Sequence, residues 1–275
     1  NPVTVLRFRQ IKEGGVEMAR KTLKNGLLIS CYPVLQGNGA KYTATNLAHE
    51  IKMYNRDLSV ALVDLDFKVP YLAGYLSGHD EVHTIDNLIE KIDGGFLSED
   101  DIKTNMVELK NGVELLKGTK LAKTYYFIKQ EHIHQILVLL KRMYDLVIVA
   151  VSHGNDSLSA MVSFLFADHI LMIARNDFSN YRVLKSQIRF VKNYAENEDA
   201  VKLIFNMYDE SSNLDFQPIL SEMNVPLVAW VPYDPSTINN RHIDGGMVTG
   251  RFFRKKEQTP YDELIVRLLE ESVQE

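Results

Sequence analysis

The chain has a single cysteine, Cys31, and no long apolar run. One cysteine excludes a disulfide framework and a cysteine-rich zinc site, and it is typical of proteins in a reducing compartment. No run approaches the roughly 20 apolar residues that a membrane-spanning helix needs. Glycine (15) and proline (8) are too few for a collagen-like or low-complexity chain. These absences predict a soluble, globular protein of the cytoplasm.

An excess of basic charge is also missing. The chain has 31 Lys and Arg against 36 Asp and Glu, for a formal net charge of −5. That balance gives no global reason to expect a nucleic-acid or membrane binder. The 275 residues, 45% of them hydrophobic and 24% charged, are enough to bury a full core. Composition narrows the function no further.

Short apolar runs alternate with segments of helical periodicity, which is typical of a parallel sheet with helical connections. Helices are predicted at Lys41–Met53 and His132–Tyr144, and the polar stretch Asp93–Asn111 is predicted to be irregular. The predicted strands are Gly26–Tyr32, Leu58–Val63, Val113–Leu116, Leu146–Val151, His169–Ile173, Val201–Phe205 and Leu227–Val231. We therefore expect an α/β fold with a doubly wound, mostly parallel sheet of about seven strands.

The first 25 residues differ from the rest of the chain. Residues 1–25 are basic, contain glycine and begin without Met. We interpret them as an N-terminal extension, the remnant of a preceding domain. Residues 26–275 show no internal linker, and we expect them to form one domain.

The loop after the first predicted strand has the composition of a phosphate-binding loop. Ligands of a doubly wound sheet bind beyond the carboxyl ends of its strands, and backbone N–H groups at a helix N-terminus suit an anion. The candidate nucleotide-binding residues are Gly37, Asn38, Gly39, Ala40, Lys41, Tyr42 and Thr43. The usual P-loop pattern fails because Leu35, Ala40 and Tyr42 stand where Gly, Gly and Ser/Thr belong. A glycine-containing turn with a surface lysine is the alternative.

Five segments, spread over roughly residues 26–272, together resemble the ParA/MinD family of deviant Walker A ATPases. These segments are Gly37–Ala48, Leu62–Asp66, Tyr144–Val149, Phe166–Asp168 and Pro226–Asp234. Their order and spacing carry the resemblance, since no single segment is specific. The resemblance implies a P-loop NTPase-like fold with ATP or ADP as the ligand.

The resemblance also implies roles for individual residues. Lys41 would reach the β- and γ-phosphates, Thr43 would touch the α-phosphate, and Asp66 would be the catalytic acid that positions water. The residues expected around the base are Asn206, which would hydrogen-bond adenine, and Pro232, Tyr233 and Asp234, which would border it. For each residue the alternative is a structural role, such as holding a turn or a strand end.

Several family positions are altered in this chain. Gln36 replaces the signature lysine that reaches across a dimer, Tyr42 replaces the hydroxyl residue that coordinates Mg²⁺, and Ala150 replaces the Walker B aspartate. Ser152-His153-Gly154 stands in place of Pro-Ala-Gly. Phosphoryl transfer depends on positioning and charge neutralisation, and the loss of one such contact costs on the order of 10²–10³ in rate. We expect ATP or ADP to bind without the usual Mg²⁺ ligands and with little or no hydrolysis.

Eroded motifs of this kind are similar to those of TadZ/CpaE-like pilus localisation proteins. The resemblance implies a spatial or assembly factor for a pilus or secretion machine. It also implies a homodimer with protein partners, recruited to a membrane-associated complex without inserting into the membrane. Two alternatives are an active partition-type ATPase that binds DNA non-specifically and a scaffold that binds no nucleotide.

Two basic clusters and an acidic end bear on partners. The first cluster is Arg182, Lys185, Arg189 and Lys192, whose spacing places all four on one helix face. That face is either a solvated surface or a contact for DNA or an acidic partner. The second cluster is Arg251, Arg254, Lys255 and Lys256. The segment Tyr261–Glu271 is amphipathic but acidic, so we expect it to pack on the sheet and not on anionic lipid.

Overall fold

The computed structural model describes residues 4–12, 15–23, 26–77, 82–120, 122–233 and 260–271. Its strands are β1 (Thr4–Lys12), β2 (Gly15–Leu23), β3 (Leu27–Pro33), β4 (Val60–Leu65), β5 (Met106–Glu108), β6 (Glu114–Leu116), β7 (Leu146–Val151), β8 (His169–Ala174), β9 (Val201–Tyr208) and β10 (Leu227–Pro232). Its helices are α1 (Ala40–Tyr54), α2 (Leu72–Leu76), α3 (Ile85–Asp93), α4 (Glu99–Asn105), α5 (Gln130–Met143), α6 (Leu158–Phe166), α7 (Phe178–Tyr194), α8 (Gln217–Met223) and α9 (Asp262–Glu271). Short 3₁₀ turns cover Ala122–Phe127 and Glu198–Ala200.

Strands β3 to β10 form one sheet in the order β10-β9-β8-β3-β7-β4-β6-β5. Neighbouring strands are parallel except β5 and β6, which pair antiparallel at one edge. The central strands β3, β4, β7 and β8 are buried along their whole length, as expected for strands covered by helices on both faces. The predicted doubly wound, mostly parallel fold is confirmed, and the described residues contribute eight strands to the sheet in place of about seven.

The prediction of an irregular Asp93–Asn111 is wrong. The stretch contains α4 and β5. Ser98 caps α4 in a capping box, in which its hydroxyl accepts from the Asp101 N–H while the Asp101 carboxylate accepts from the Ser98 N–H. The acids that made the stretch look unstructured are the first turn of a helix, where negative charge is favourable.

Two strands, β1 and β2, lie outside the large sheet. Strands β1 and β2 pair antiparallel from Thr4 opposite Leu23 to Lys12 opposite Gly15, as a separate two-stranded sheet. That these residues derive from a preceding domain stays a prediction.

Apolar clusters cover the two faces of the large sheet. One cluster receives α3 to α8, and the other receives α1, α2 and α9. The acidic helix α9 buries Leu264, Ile265, Leu268 and Leu269 in the second cluster, so its predicted packing on the body of the protein is confirmed. Within the described residues, no helix combines the length and apolar character that crossing a membrane requires.

Candidate functional site

The loop between β3 and α1 depends on two glycines with left-handed backbone. Gly37 has φ 88° and Gly39 has φ 89°, a region that favours glycine. A Cβ on Gly37 would meet open space, whereas a Cβ on Gly39 would lie 2.2 Å from Nδ2 of Asn206. Gly37 is therefore needed for backbone conformation alone, and Gly39 is also needed for close packing.

Helix α1 begins at this loop with an uncapped N-terminus. Its N-cap residue, Gly39, supplies no side-chain acceptor, and the first turn has no acidic residue. The first N–H groups of a helix have no partner within the helix, and they lie at the positive end of its dipole. The start of α1 thus has the donors and the charge that suit an anion such as phosphate.

Lys41 extends from the first turn of α1 to the end of β4. Its Nζ lies 2.5 Å from Oδ2 of Asp66 and 4.0 Å from Oδ1 of Asp64, and it also donates to the Val69 carbonyl. The amine stands 4.4 Å from the ring centroid of Tyr71. Lys41 therefore neutralises two acids at the carboxyl end of the sheet, where ligands of such folds bind.

The second carboxylate oxygen of Asp66, Oδ1, is fixed by two hydrogen bonds. Oδ1 of Asp66 accepts from the Ser152 hydroxyl at 2.8 Å and from the Val69 N–H at 3.2 Å. Ser152 directly follows β7, at a position where the sequence departs from the pattern of the ParA/MinD family. The structure joins it directly to the predicted catalytic acid, an interaction the residue pattern did not indicate.

Asp64 is a second site residue that the sequence reasoning gave no role. It is fully buried on β4, where Oδ1 accepts from the Asp66 N–H at 3.1 Å and Oδ2 from the Leu72 N–H at 2.9 Å. Burial raises its pKa to about 6, although the Lys41 charge acts to lower it. A carboxyl group inside an otherwise apolar strand was the available signal, since perturbed acids cluster at functional sites.

The end of β7 supplies an apolar side chain beside these acids. Ala150 is fully buried and stands in register between Cys31 of β3 and Asp64 of β4. Tyr42, the residue after Lys41, packs against the apolar cluster that receives α9. The Thr43 side chain is buried beside the hydroxyl of Tyr261.

The residues predicted around the base that the structure describes lie at the ends of the neighbouring strands β9 and β10. Asn206 is 1% exposed and donates from Nδ2 to the Asn38 carbonyl at 2.8 Å. Pro232 is exposed at the end of the edge strand β10, and Tyr233 is 52% exposed with its N–H donating to the Tyr208 carbonyl. Asp234 lies outside the described residues.

The basic face of α7 is partly neutralised. Lys185 pairs with Glu222, and Lys192 lies 3.3 Å from Glu198. Arg182 and Arg189 are exposed, and Arg182 lies 5.9 Å from the ring centroid of Phe178. The second basic cluster, residues 251–256, lies outside the described residues. A role of α7 in binding DNA or a partner stays a prediction.

In the part of the chain that the structure describes, no group of three or more His, Cys, Asp or Glu is placed to hold a metal ion.

The fold is similar to that of solved ParA and MinD ATPases. A ParA family ATPase from Chlorobium tepidum TLS superimposes with a TM-score of 0.72 at 16% identity, covering 90% of this chain and 98% of that one. The cell division ATPase MinD of Pyrococcus furiosus gives 0.68 at 19% identity, covering 90% and 99%. MinD of Pyrococcus horikoshii OT3, complexed with Mg-ADP, gives 0.63 at 21% identity, covering 81% and 87%. No family profile and no curated protein sequence matches the chain.

Proposed function

We propose that this chain is a ParA/MinD-like spatial or assembly factor that binds ATP or ADP and hydrolyses it slowly or not at all. The observation that carries the proposal is a contrast within one site. Lys41 reaches the acids at the end of β4, while the adjacent position on β7 is the methyl group of Ala150. The site thus has the parts that bind phosphate and lacks a part that transfers it.

The phosphate-binding part consists of the loop, the start of α1 and Lys41. The left-handed glycines turn the backbone, and the uncapped helix supplies N–H donors. Lys41 can leave Asp66 for a phosphate of similar charge, since both contacts are charge-assisted hydrogen bonds. The Mg-ADP bound by the MinD of Pyrococcus horikoshii OT3 supports a nucleotide as the ligand of this fold.

The residues present do not fit the Mg²⁺ ion that the fold family implies. Magnesium needs oxygen ligands in near-octahedral geometry. Both oxygens of Asp64 accept backbone N–H groups, and those of Asp66 accept from Lys41, Ser152 and Val69. Ala150 has no donor atom. We therefore assign no step of phosphoryl transfer to this site, and nucleotide acts as a switching ligand.

The biological role is the wider part of the proposal. ParA and MinD folds support it, as does the pattern of eroded motifs similar to TadZ/CpaE-like proteins. The chain would act as a homodimer with protein partners of a pilus or secretion apparatus. A DNA-binding partition role has less support, because two of the four cations on α7 are in ion pairs.

Calorimetric titration with ATP beside a phosphate-release assay tests the proposal. Wild type should bind ATP and release phosphate at a rate close to background, and Lys41→Ala should lose binding. Rapid release that disappears in Lys41→Ala would contradict the proposal and favour an active ATPase. No binding by wild type would favour the scaffold, and association with DNA that requires Arg182 and Arg189 would favour the partition role.

A further inference from the structure

Asn206 lies beneath the phosphate-binding loop. Its side chain is 1% exposed, and Nδ2 donates to the carbonyl of Asn38 at 2.8 Å. The contact is close enough that a Cβ on Gly39 would lie 2.2 Å from the same Nδ2 atom. One N–H of this buried amide is therefore bonded to the loop.

The backbone of β9 departs from regular strand geometry to place Asn206 there. Met207, the next residue, has φ 55°, a backbone conformation that is unfavourable for residues other than glycine. The pairing of β9 with β10 skips Met207, since Val231 lies opposite Asn206 and Pro232 opposite Tyr208. Such bulges redirect a side chain, and strained residues of this kind cluster at functional sites.

Asn38 carries the connection to two further elements. Its Nδ2 donates to the Ile173 carbonyl at the end of β8, at 3.1 Å, and to Oδ1 of Asn180 at 2.6 Å. Asn180 in turn donates to the carboxylate of Asp177, the N-cap of α7. We call the three buried residues Asn38, Asn180 and Asn206 the asparagine clasp. The clasp joins the loop to β8, β9 and α7.

We infer that the asparagine clasp holds the loop in the geometry that receives phosphates, and that Asn206 is a positioning residue for phosphate binding. The inference rests on the proposed function for the class of ligand. Because the bond from Asn206 supports the loop itself, its loss weakens the binding of the phosphate chain whatever group that chain carries.

Calorimetric titration with ATP, GTP and inorganic tripolyphosphate tests this role. Asn206→Asp replaces the N–H donor by an oxygen that faces the Asn38 carbonyl, so the affinity for each probe should fall by a common factor of about ten. A loss confined to ATP would overturn the inference and make Asn206 a base-reading residue.

Asn105→Asp is the matched control. Asn105 is also buried, and its Nδ2 donates to a backbone carbonyl, that of Asp101 on α4, at 2.9 Å. The control loses a bond of the same kind away from the loop, so it should leave the affinities for all three probes unchanged. An equal loss in Asn105→Asp would show that the effect of Asn206→Asp reflects general destabilisation, and would overturn the assignment.

Amide hydrogen exchange on the nucleotide-free protein separates the clasp from the proposed function. Exchange at residues 36–41 should be about tenfold faster in Asn206→Asp than in wild type or Asn105→Asp. Asn38→Gly keeps the carbonyl but removes the bonds to Ile173 and Asn180, and it should give a similar increase. Unchanged exchange in both variants would overturn the clasp. Faster exchange in both variants, together with a wild type that binds none of the probes, would retain the clasp and contradict the proposed function.

Discussion

The two sides of the candidate site differ in what their residues are adapted to do. On the β3–α1 side, Gly37 and Gly39 have left-handed backbone and Lys41 reaches across to Asp66. On the β7 side, the strand continues as a buried apolar run through Ala150 to Val151. The first side has the backbone conformation and the cation that suit an anion, and the second is packed as core. Under the proposed function, phosphate binding and phosphate transfer are therefore encoded by separate residues, so one can persist without the other.

Placing an acid on the β7 side tests whether that side tolerates a buried charge. We expect Ala150→Asp to lower the free energy of unfolding by about 4 kcal/mol, because the new carboxylate would be buried beside Asp64 while the nearby Lys41 already pairs with Asp66. Urea denaturation measures the loss, with Ala150→Ser as the uncharged control. A stable Ala150→Asp protein that also gained ATP hydrolysis would contradict the separation of the two sides.

The acid at the boundary of the two sides should make stability depend on pH. Burial raises the folded-state pKa of Asp64 to about 6, so between pH 4 and 6 the folded state holds a proton that the unfolded chain has released. The stabilisation is complete below pH 4 and is lost as the pH rises through 6. Relative to Asp64→Asn, wild type should therefore lose about 3 kcal/mol between pH 4 and 7.

Denaturation of both proteins over that pH range provides the measurement. A constant difference between wild type and Asp64→Asn would show that Asp64 is ionised throughout. Asp64 would then offer a charge to a ligand, and the contrast with the β7 side would weaken.

Lys41 is the residue on which the phosphate-binding side depends most. We expect Lys41→Ala to weaken ATP binding by about a hundredfold, because it removes a charge-assisted contact to phosphate. Calorimetry measures the affinity, and Lys110→Ala, at an exposed lysine in the turn between β5 and β6, is the control. Equal affinities of Lys41→Ala and wild type would show that ATP binds elsewhere.

Substituting the two loop glycines tests the structure of the β3–α1 side, with smaller expected effects on stability. Gly37→Ala should cost about 1 kcal/mol of stability, since only the backbone conformation is disfavoured. Gly39→Ala should cost about 2 kcal/mol more, because its Cβ would also displace the buried Asn206 side chain. Thermal denaturation of both variants gives the difference. Equal costs would mean that Asn206 can move freely.

Local sequence patterns predicted much of the fold. Strand β7 begins and ends at the predicted residues, because a continuous apolar run between polar segments is unambiguous. Helix α4 was missed because its first turn consists of acids, and its apolar anchor is the single buried Ile102. The capping box at Ser98 was a local signal that could have found it.

The site was less predictable because its contacts join distant parts of the chain. Ser152 lies 86 residues from Asp66, and Asn206 lies 168 residues from Asn38. No local pattern encodes such pairs, which arise only when β4, β7, β9 and the loop meet at one edge of the sheet. Lys41 was predicted because its signal, a lysine at the end of a glycine-containing loop before a helix, is local.

The dependence of ATP affinity on Mg²⁺ separates a chain that binds nucleotide without the metal ion from an active ATPase. Calorimetric titration of the wild-type chain with ATP would be performed in excess Mg²⁺ and in excess chelator. Because the residues of the site do not fit the ion, we predict dissociation constants within about twofold of each other and no phosphate release in either condition. An affinity that rises by more than about tenfold with Mg²⁺, accompanied by phosphate release, would contradict the account.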